Sequence, residues 1–277
     1  MSSALSRTQL HPSTVIYACA DLLEKVRSTT PLVQCVTNSV VTNMTANALL
    51  AVGATPAMVD IPIEAAQFTA AADGLLINLG TPHEEQRAAI MEAATAAATH
   101  DTPWVLDPVA VGVLSVRTAL ARQLLNNRPT AIRGNPSEII ALAGAGSGGR
   151  GTDSAHGVDE ATHAAHTLCD ATGAIIAVSG PRDLITDGGT DLLLANGTPL
   201  LTKITGGGCA LGAMTAAFLA VGRATPLHAT AAATLVYTVA AQRAATRASG
   251  PGSFQVAFMD ELADIAPETI AAQAVIV

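Results

Sequence analysis

The chain has 277 residues and carries 14 Lys and Arg against 22 Asp and Glu, a formal net charge of −8. That balance excludes a protein whose affinity comes from neutralising phosphates, such as a non-specific DNA or RNA binder. Lys25 and Lys203 are its only lysines, so no polybasic membrane patch is available either. Apolar residues reach 49% and aromatics only 3%, a composition suited to tightly packed helices on a sheet and not to disorder.

Met1 to Pro12 reads as a polar N-terminal extension without the apolar core of a signal peptide. Short, almost wholly apolar runs follow at Leu32–Val36, Pro56–Val59, Leu75–Leu79, Trp104–Asp107, Ala131–Arg133 and Ala174–Ser179. Each ends in a polar or glycine-bearing turn, as expected of strands buried on both faces. Helical patterns lie between them at Val40–Ala51, Ile63–Ala72, His83–Thr99, Val116–Asn126, Ser137–Ala143 and Asp159–Ala171. The alternation predicts an α/β fold, a mostly parallel sheet with helices on both faces.

Beyond Gly180 the rhythm changes. Asp183–Asp187, Asp191–Ala195 and Leu200–Ile204 read as short strands joined by tight glycine turns, an antiparallel addition over 183–204. Two long helices, Cys209–Val221 and Pro226–Ala248, then close the chain, with Gly250 to Phe254 as a loop after them. The glycine-dense stretch Gly144 to Gly151 reads as a surface loop and not a boundary, because the strand–helix rhythm continues on both sides; residues 1–277 are read as a single domain. The most apolar stretch, Cys209–Val221, falls well short of the roughly 20 residues a membrane-spanning helix needs. Cys19, Cys35, Cys169 and Cys209 are too widely spaced for a zinc site, and a chain of this size needs no disulfide framework. The expected location is the cytoplasm, with no membrane or nucleic-acid partner.

In open α/β sheets ligands bind at the carboxyl ends of the strands. Thr205-Gly206-Gly207-Gly208-Cys209 stands between a strand-like run and a long apolar helix. Glycines let backbone N–H groups approach an anion, and the helix start adds partial positive charge; the other reading is a tight turn. No P-loop sequence occurs. Cys209, in the first helical turn, is placed where the helix field favours a thiolate, as base or nucleophile, or else is a small buried hydrophobe. Asn135-Pro136-Ser137-Glu138, after Arg133-Gly134, makes a helix-capping box; it could also present Glu138 to Mg²⁺ through water and Arg133 to a phosphate. Asp107 is a second strand-end carboxylate, or a turn residue before Pro108. Ser179-Gly180 closes another strand, and both it and the Gly250 loop could pack near a nucleotide.

Taken together these residues resemble the hydroxyethylthiazole kinase family of the ribokinase-like kinases. The resemblance rests on Thr37-Asn38-Ser39-Val40-Val41-Thr42-Asn43-Met44-Thr45-Ala46-Asn47, Gly53 to Met58, Leu106-Asp107-Pro108-Val109, Ile132 to Glu138, Thr205 to Cys209 and Gly250 to Phe254, in family order. It implies a three-layer ribokinase-like fold and ATP- and Mg²⁺-dependent phosphorylation of 4-methyl-5-(2-hydroxyethyl)thiazole, a salvage step towards thiamine. It implies Cys209 as the catalytic residue beside the substrate hydroxyl and Met58, Gly206, Asn38 and Val40 as thiazole contacts. Arg133, Ser179, Gly207 and Gly208 would contact ATP, with Glu138 and Asp107 near the phosphates and Mg²⁺. A homotrimer with sites at subunit interfaces is also implied.

The chain departs from the family pattern at Gly207 and Ser179, where Thr is usual, and at Ala110, where Gly is common. Other readings are a pyrimidine alcohol kinase, a nucleotide-dependent lyase acting on damaged cofactors, or a non-catalytic thiazole- or nucleotide-binding protein. Cysteine at 209 and the Asn38–Asn47 segment speak against the first two. The presence of Arg133, Glu138, Asp107 and Cys209 together speaks against the third.

Overall fold

A computed structural model describes residues 10–144 and 155–277. Its strands are β1 (Leu32–Val36), β2 (Thr55–Ala57), β3 (Gly74–Asn78), β4 (Trp104–Asp107), β5 (Ala131–Gly134), β6 (Ile175–Val178), β7 (Asp183–Thr186) and β8 (Asp191–Leu194). Among the described residues they form one sheet in the order β2-β1-β3-β4-β5-β6-β7-β8. Pairing is parallel from β2 to β6 and antiparallel across β6–β7–β8, so the expected antiparallel addition is present at this edge.

The helices are α1 (Pro12–Thr29), α2 (Thr42–Val52), α3 (Glu64–Thr69), α4 (Glu84–His100), α5 (Ser115–Leu124), α6 (Pro136–Leu142), α7 (Ala155–Thr172), α8 (Cys209–Val221), α9 (Pro226–Arg247), α10 (Pro251–Asp264) and α11 (Pro267–Gln273). Strand side chains alternate between faces, as a two-residue period demands. Val33, Cys35, Leu76, Val105 and Ile175 pack into one core with α1, α2, α8, α9 and α10. Leu75, Ile77, Trp104, Leu106 and Ile176 pack into the other with helices α4 to α7. This is the three-layer α/β arrangement expected.

Helix α8 runs along the first face with every residue from Ala210 to Leu219 buried. It lies unusually close to the sheet. A Cβ on Gly74 would stand 2.6 Å from the Ala216 carbonyl oxygen, and one on Gly212 would stand 2.9 Å from Leu76 Cδ1. Glycine at those two positions is therefore what lets the helix backbone rest on β3.

Three expectations need correction. Leu200–Ile204 is not a strand: Pro199–Lys203 forms a 3-10 helix, because Pro199 fixes the first turn and the Thr198 side chain accepts a hydrogen bond from the Leu200 N–H. The stretch after Gly250 is not a loop but the start of α10, with Pro251 in its first turn and Ser253 Oγ accepting the Gly250 N–H. Helices α10 and α11, and α1 at the other end, were not anticipated from the sequence. The buried spacing Val15, Cys19, Leu22, Leu23, Val26 shows why α1 forms: it gives one apolar stripe at helical period. The bulk of the expected Gly144 to Gly151 loop, and nearly all of the N-terminal extension, lie outside the described residues. Among the described residues no helix is long and apolar enough to cross a membrane.

Gly74→Ala puts its Cβ against helix backbone, which cannot rotate away as a side chain would. Chemical denaturation should show a loss of about 1–3 kcal/mol, the usual cost of overpacking a core. An unchanged midpoint would mean that α8 does not rest on β3 in this way.

Candidate active site

The carboxyl ends of β1, β3, β4, β5 and β6 converge on the first turn of α8, and the polar residues there are joined into one buried network. Arg133, at the end of β5, is 7% exposed. Its Nη1 donates to the Gly208 carbonyl at 2.9 Å and lies 3.5 Å from Asp107 Oδ2. Its Nη2 donates to Ser179 Oγ at 2.6 Å. The guanidinium thus ties β4, β5, β6 and the glycine loop together. Its buried Nε has no partner among the described residues.

Asp107, at the end of β4, also accepts from Asn78 Nδ2 at 2.8 Å. Burial pushes its carboxyl up to about 7, against the lowering influence of the Arg133 charge. Asn78, the last residue of β3, accepts through Oδ1 from Asn38 Nδ2 at 2.9 Å. Asn38 Nδ2 in turn lies 3.6 Å from Cys209 Sγ. One polar chain therefore runs from Ser179 through Arg133, Asp107, Asn78 and Asn38 to Cys209.

Cys209 heads α8 and is half-buried, while Cys19, Cys35 and Cys169 are buried and pushed up to about 12 by burial. The expected thiolate is not favoured. Burial first, and the Asp107 charge second, raise the Cys209 thiol, outweighing the Asn78 and Asn38 amides and Arg133, which lower it.

The glycine loop is bent to face both sides. Gly206 has φ +87°, and a Cβ there would meet Met44 and Val41 at 3.1–3.2 Å, so the loop presses against the start of α2. Gly207 accepts the Tyr237 hydroxyl through its carbonyl at 2.7 Å. On the far side lies a cavity of about 610 Å³, lined among others by Arg133, Ser179, Gly207, Gly208, Leu201 and Tyr237.

Glu138 is the N3 residue of a complete capping box on α6, its Oε2 accepting the Asn135 N–H at 2.9 Å. Its Oε1 accepts the Ala110 N–H at 2.9 Å. Ala110 holds φ +60° there, a left-handed conformation in which glycine would be unstrained. Met58 lies just after β2, half-buried against the α8-side core. Val40, by contrast, is 66% exposed in the turn before α2 and joins neither the network nor the cavity. Gly250 heads α10, and its N–H is satisfied by Ser253.

Asn78 and Tyr237 escaped the sequence reading. An asparagine inside the apolar run Leu75–Leu79 and one of only two tyrosines were the available signals.

These strand ends, the glycine turn into a buried helix and the adjoining cavity define a ribokinase-like kinase fold. Among structures sharing it are a ribokinase-like superfamily protein from Enterococcus faecalis (TM-score 0.62, 15% identity, covering 90% of this chain and 95% of that one) and the ADP complex of Bacillus subtilis pyridoxal kinase (TM-score 0.55, 20% identity, 77% and 92%). These two likenesses speak to the fold alone. A profile of the hydroxyethylthiazole kinase family matches residues 23–268, and the chain belongs to that family. A hydroxyethylthiazole kinase from Clavibacter sepedonicus is 55% identical over 91% of both chains. One from Corynebacterium glutamicum is 50% identical over 91% of this chain and 95% of its own. The structure of the hydroxyethylthiazole kinase protein from Pyrococcus horikoshii superposes with a TM-score of 0.86 at 35% identity, covering 94% of this chain and 98% of that one.

The raised Asp107 carboxyl has a measurable consequence. Its folded value is about 7 against an ordinary 3.8, so between those values the folded protein holds a proton that the unfolded chain has lost. The stability linked to that proton is fully present near pH 4, declines as pH rises to about 7, and stays lost above. Asp107→Asn removes the dependence. In metal-free buffer the variant should melt above the parent at pH 8, by about 2–4 °C per kcal/mol, with the two curves meeting near pH 4. Melting curves that run parallel across that range would overturn the raised value.

Proposed function

We propose that the chain transfers the γ-phosphoryl group of ATP, with Mg²⁺, to the hydroxyl of 4-methyl-5-(2-hydroxyethyl)thiazole, giving the thiazole phosphate and ADP in thiamine salvage. The observation that carries this reading is the position of the glycine loop. It has the Arg133–Ser179 cavity on one side and the Asn38 segment on the other, with Cys209 between. A nucleotide in the cavity would bring its terminal phosphate to the loop N–H groups, and an alcohol held near Asn38 would meet it there.

In this reading Arg133 and Ser179 contact the nucleotide, and the Gly207 and Gly208 backbone receives the phosphates. Met58, Gly206, Asn38 and Val40 contact the thiazole. In-line transfer forms the bond from the alcohol oxygen to the γ-phosphorus as the bridging oxygen departs with ADP, and the alcohol's proton is released to water as the phosphate ester forms. Such a reaction depends on positioning and charge stabilisation, and asks little of a base. A thiol raised above its ordinary value meets that modest demand by orienting the alcohol.

Mg²⁺ would neutralise developing charge on the phosphates. The residues fit it: Asp107 and Glu138 converge from β4 and α6, and Asp107 keeps Oδ1 free of hydrogen bonds among the described residues. No group of three His, Cys, Asp or Glu close enough to hold a metal occurs among the described residues. Two carboxylates, one already bonded to backbone, suit a cation that keeps its waters and binds with the nucleotide.

A homotrimer with sites shared between subunits is part of the proposal. Exposed Val40, Leu50, Ile61 and Ile63 cluster in sequence around the edge strand β2, and a partner covering them would bring Val40 into a site. The four free thiols fit a cytoplasmic enzyme acting as one domain over residues 1–277.

The test is ADP release with Mg-ATP and the thiazole alcohol, beside hydroxymethylpyrimidine and a blank without acceptor. ADP appearing only with the thiazole, and stopped by chelating Mg²⁺, is the expected result. No turnover in a folded protein that binds ATP would overturn the reading. Cys209→Ala should lower kcat about 10- to 100-fold without abolishing it, at or below the bottom of the roughly 100- to 10,000-fold range for removing a full general base. Wild-type turnover in that variant would remove Cys209 from the reaction, and Cys209→Asp would report whether a carboxylate is tolerated.

A further inference from the structure

Asn78 lies outside every stretch that carries the family resemblance, yet it sits at the centre of the polar network. It is fully buried at the carboxyl end of β3. Its orientation is not free. The Gly80 N–H donates to its Oδ1 at 3.0 Å, and a main-chain N–H can only donate, so the amide oxygen must face that side. The same oxygen accepts from Asn38 Nδ2, which leaves Nδ2 of Asn78 to donate to Asp107 Oδ2. Gly80 is part of this arrangement, because a Cβ there would run into the Asn38 amide.

We propose that Asn78 is a positioning residue, holding Asn38 and Cys209 on the alcohol side and Asp107 on the phosphate side in one fixed relation. The claim about reaction kinetics rests on the phosphorylation reading. The claim about geometry does not. Neither side reaches the other by a direct hydrogen bond: Asn38 bonds to Asn78 and approaches Cys209, while Asp107 bonds to Asn78 and Arg133. Asn78 thus joins β1, β3, β4 and the head of α8 through a single side chain. Aspartate there has the same shape but cannot donate, and would set a second carboxylate against Asp107. The position therefore demands an amide rather than merely a small polar group.

The experiment uses Asn78→Ala, the isosteric Asn78→Asp in case the cavity prevents folding, Asn38→Ala, and the Asn38→Ala/Asn78→Ala pair. Steady-state kinetics with both substrates should show each Asn78 variant losing about tenfold or more in kcat, a cost in keeping with small misplacements of reacting groups. KM for ATP should stay within about twofold, since Asn78 does not line the nucleotide cavity. In the Asn38→Ala background, Asn78→Ala should cost at least about threefold less in kcat than in the parent, the mark of two residues acting as a unit.

A second readout needs no phosphorylation. Iodoacetamide should label Cys209 in the ligand-free protein, the other three cysteines being buried. Freeing Asn38 from its anchor and removing the Asn78 amide beside the thiol should slow that labelling about threefold in Asn78→Ala, and by less in the Asn38→Ala background. Additive kcat losses, wild-type kcat in Asn78→Asp, or a lowered melting temperature with kinetics and labelling unchanged would each overturn the proposal. If the wild-type protein turns over no alcohol, the phosphorylation reading fails and the labelling cycle decides the role of Asn78 alone.

Discussion

The site depends on how closely α8 lies on the sheet. Glycine at 74 and 212 removes the two side chains that would hold the helix off β3, and every residue from Ala210 to Leu219 is buried as a result. A Cβ on Gly212 would stand only 3.5 Å from Asp107 Oδ2 and 3.7 Å from Arg133 Cδ. The helix that presents Cys209 is therefore placed against the very residues it has to meet. Packing and site geometry are one problem here: a helix raised by a methyl group would carry its first turn away from Asn38 and Arg133 together.

That closeness also sets the electrostatics. Arg133 is the cationic neighbour of buried Asp107, and the carboxyl still rises to about 7. The thiol of Cys209 also rises, through burial first and the nearby Asp107 charge second. The network thus holds its charges at a cost in stability, as preorganised sites do. In the proposed reaction the ligand would relieve that cost, because the nucleotide arrives with a cation for the carboxylates and with phosphates for Arg133. The buried Nε of Arg133, without a partner among the described residues, adds to that cost.

The sheet and its flanking helices were legible because buried parallel strands are short apolar runs and glycine turns separate them. Asp107, Arg133 and Ser179 stood out as polar residues at strand ends that interrupt those runs, Glu138 through its capping box, and Cys209 through the glycine turn before a long apolar helix. The terminal helices were harder. Helix α1 carries its stripe among polar residues, and α10 begins at Gly250-Pro251-Gly252, residues that read as a turn until Ser253 is seen to cap the helix. Asn78 stayed hidden because it ends a run that reads as plain strand, and its partners lie 29 and 40 residues away. The raised Cys209 thiol could not be read at all, since burial by elements distant in sequence is its largest cause.

The glycine at 207 shows how one position can follow from a distant one. The resemblance leads one to expect threonine there, but any Cβ would run into the Leu201 carbonyl oxygen. Leu201 stands where it does because Pro199 and the Thr198 cap wind 199–203 into a 3-10 turn against the loop. The Tyr237 hydroxyl then holds the Gly207 carbonyl from the opposite side, fixing the peptide between α9 and that turn. The close packing of 199–203 thus leaves no room for a side chain at 207. It leaves the backbone N–H groups, the part of the loop an anion would use, on elements that hold them from both sides.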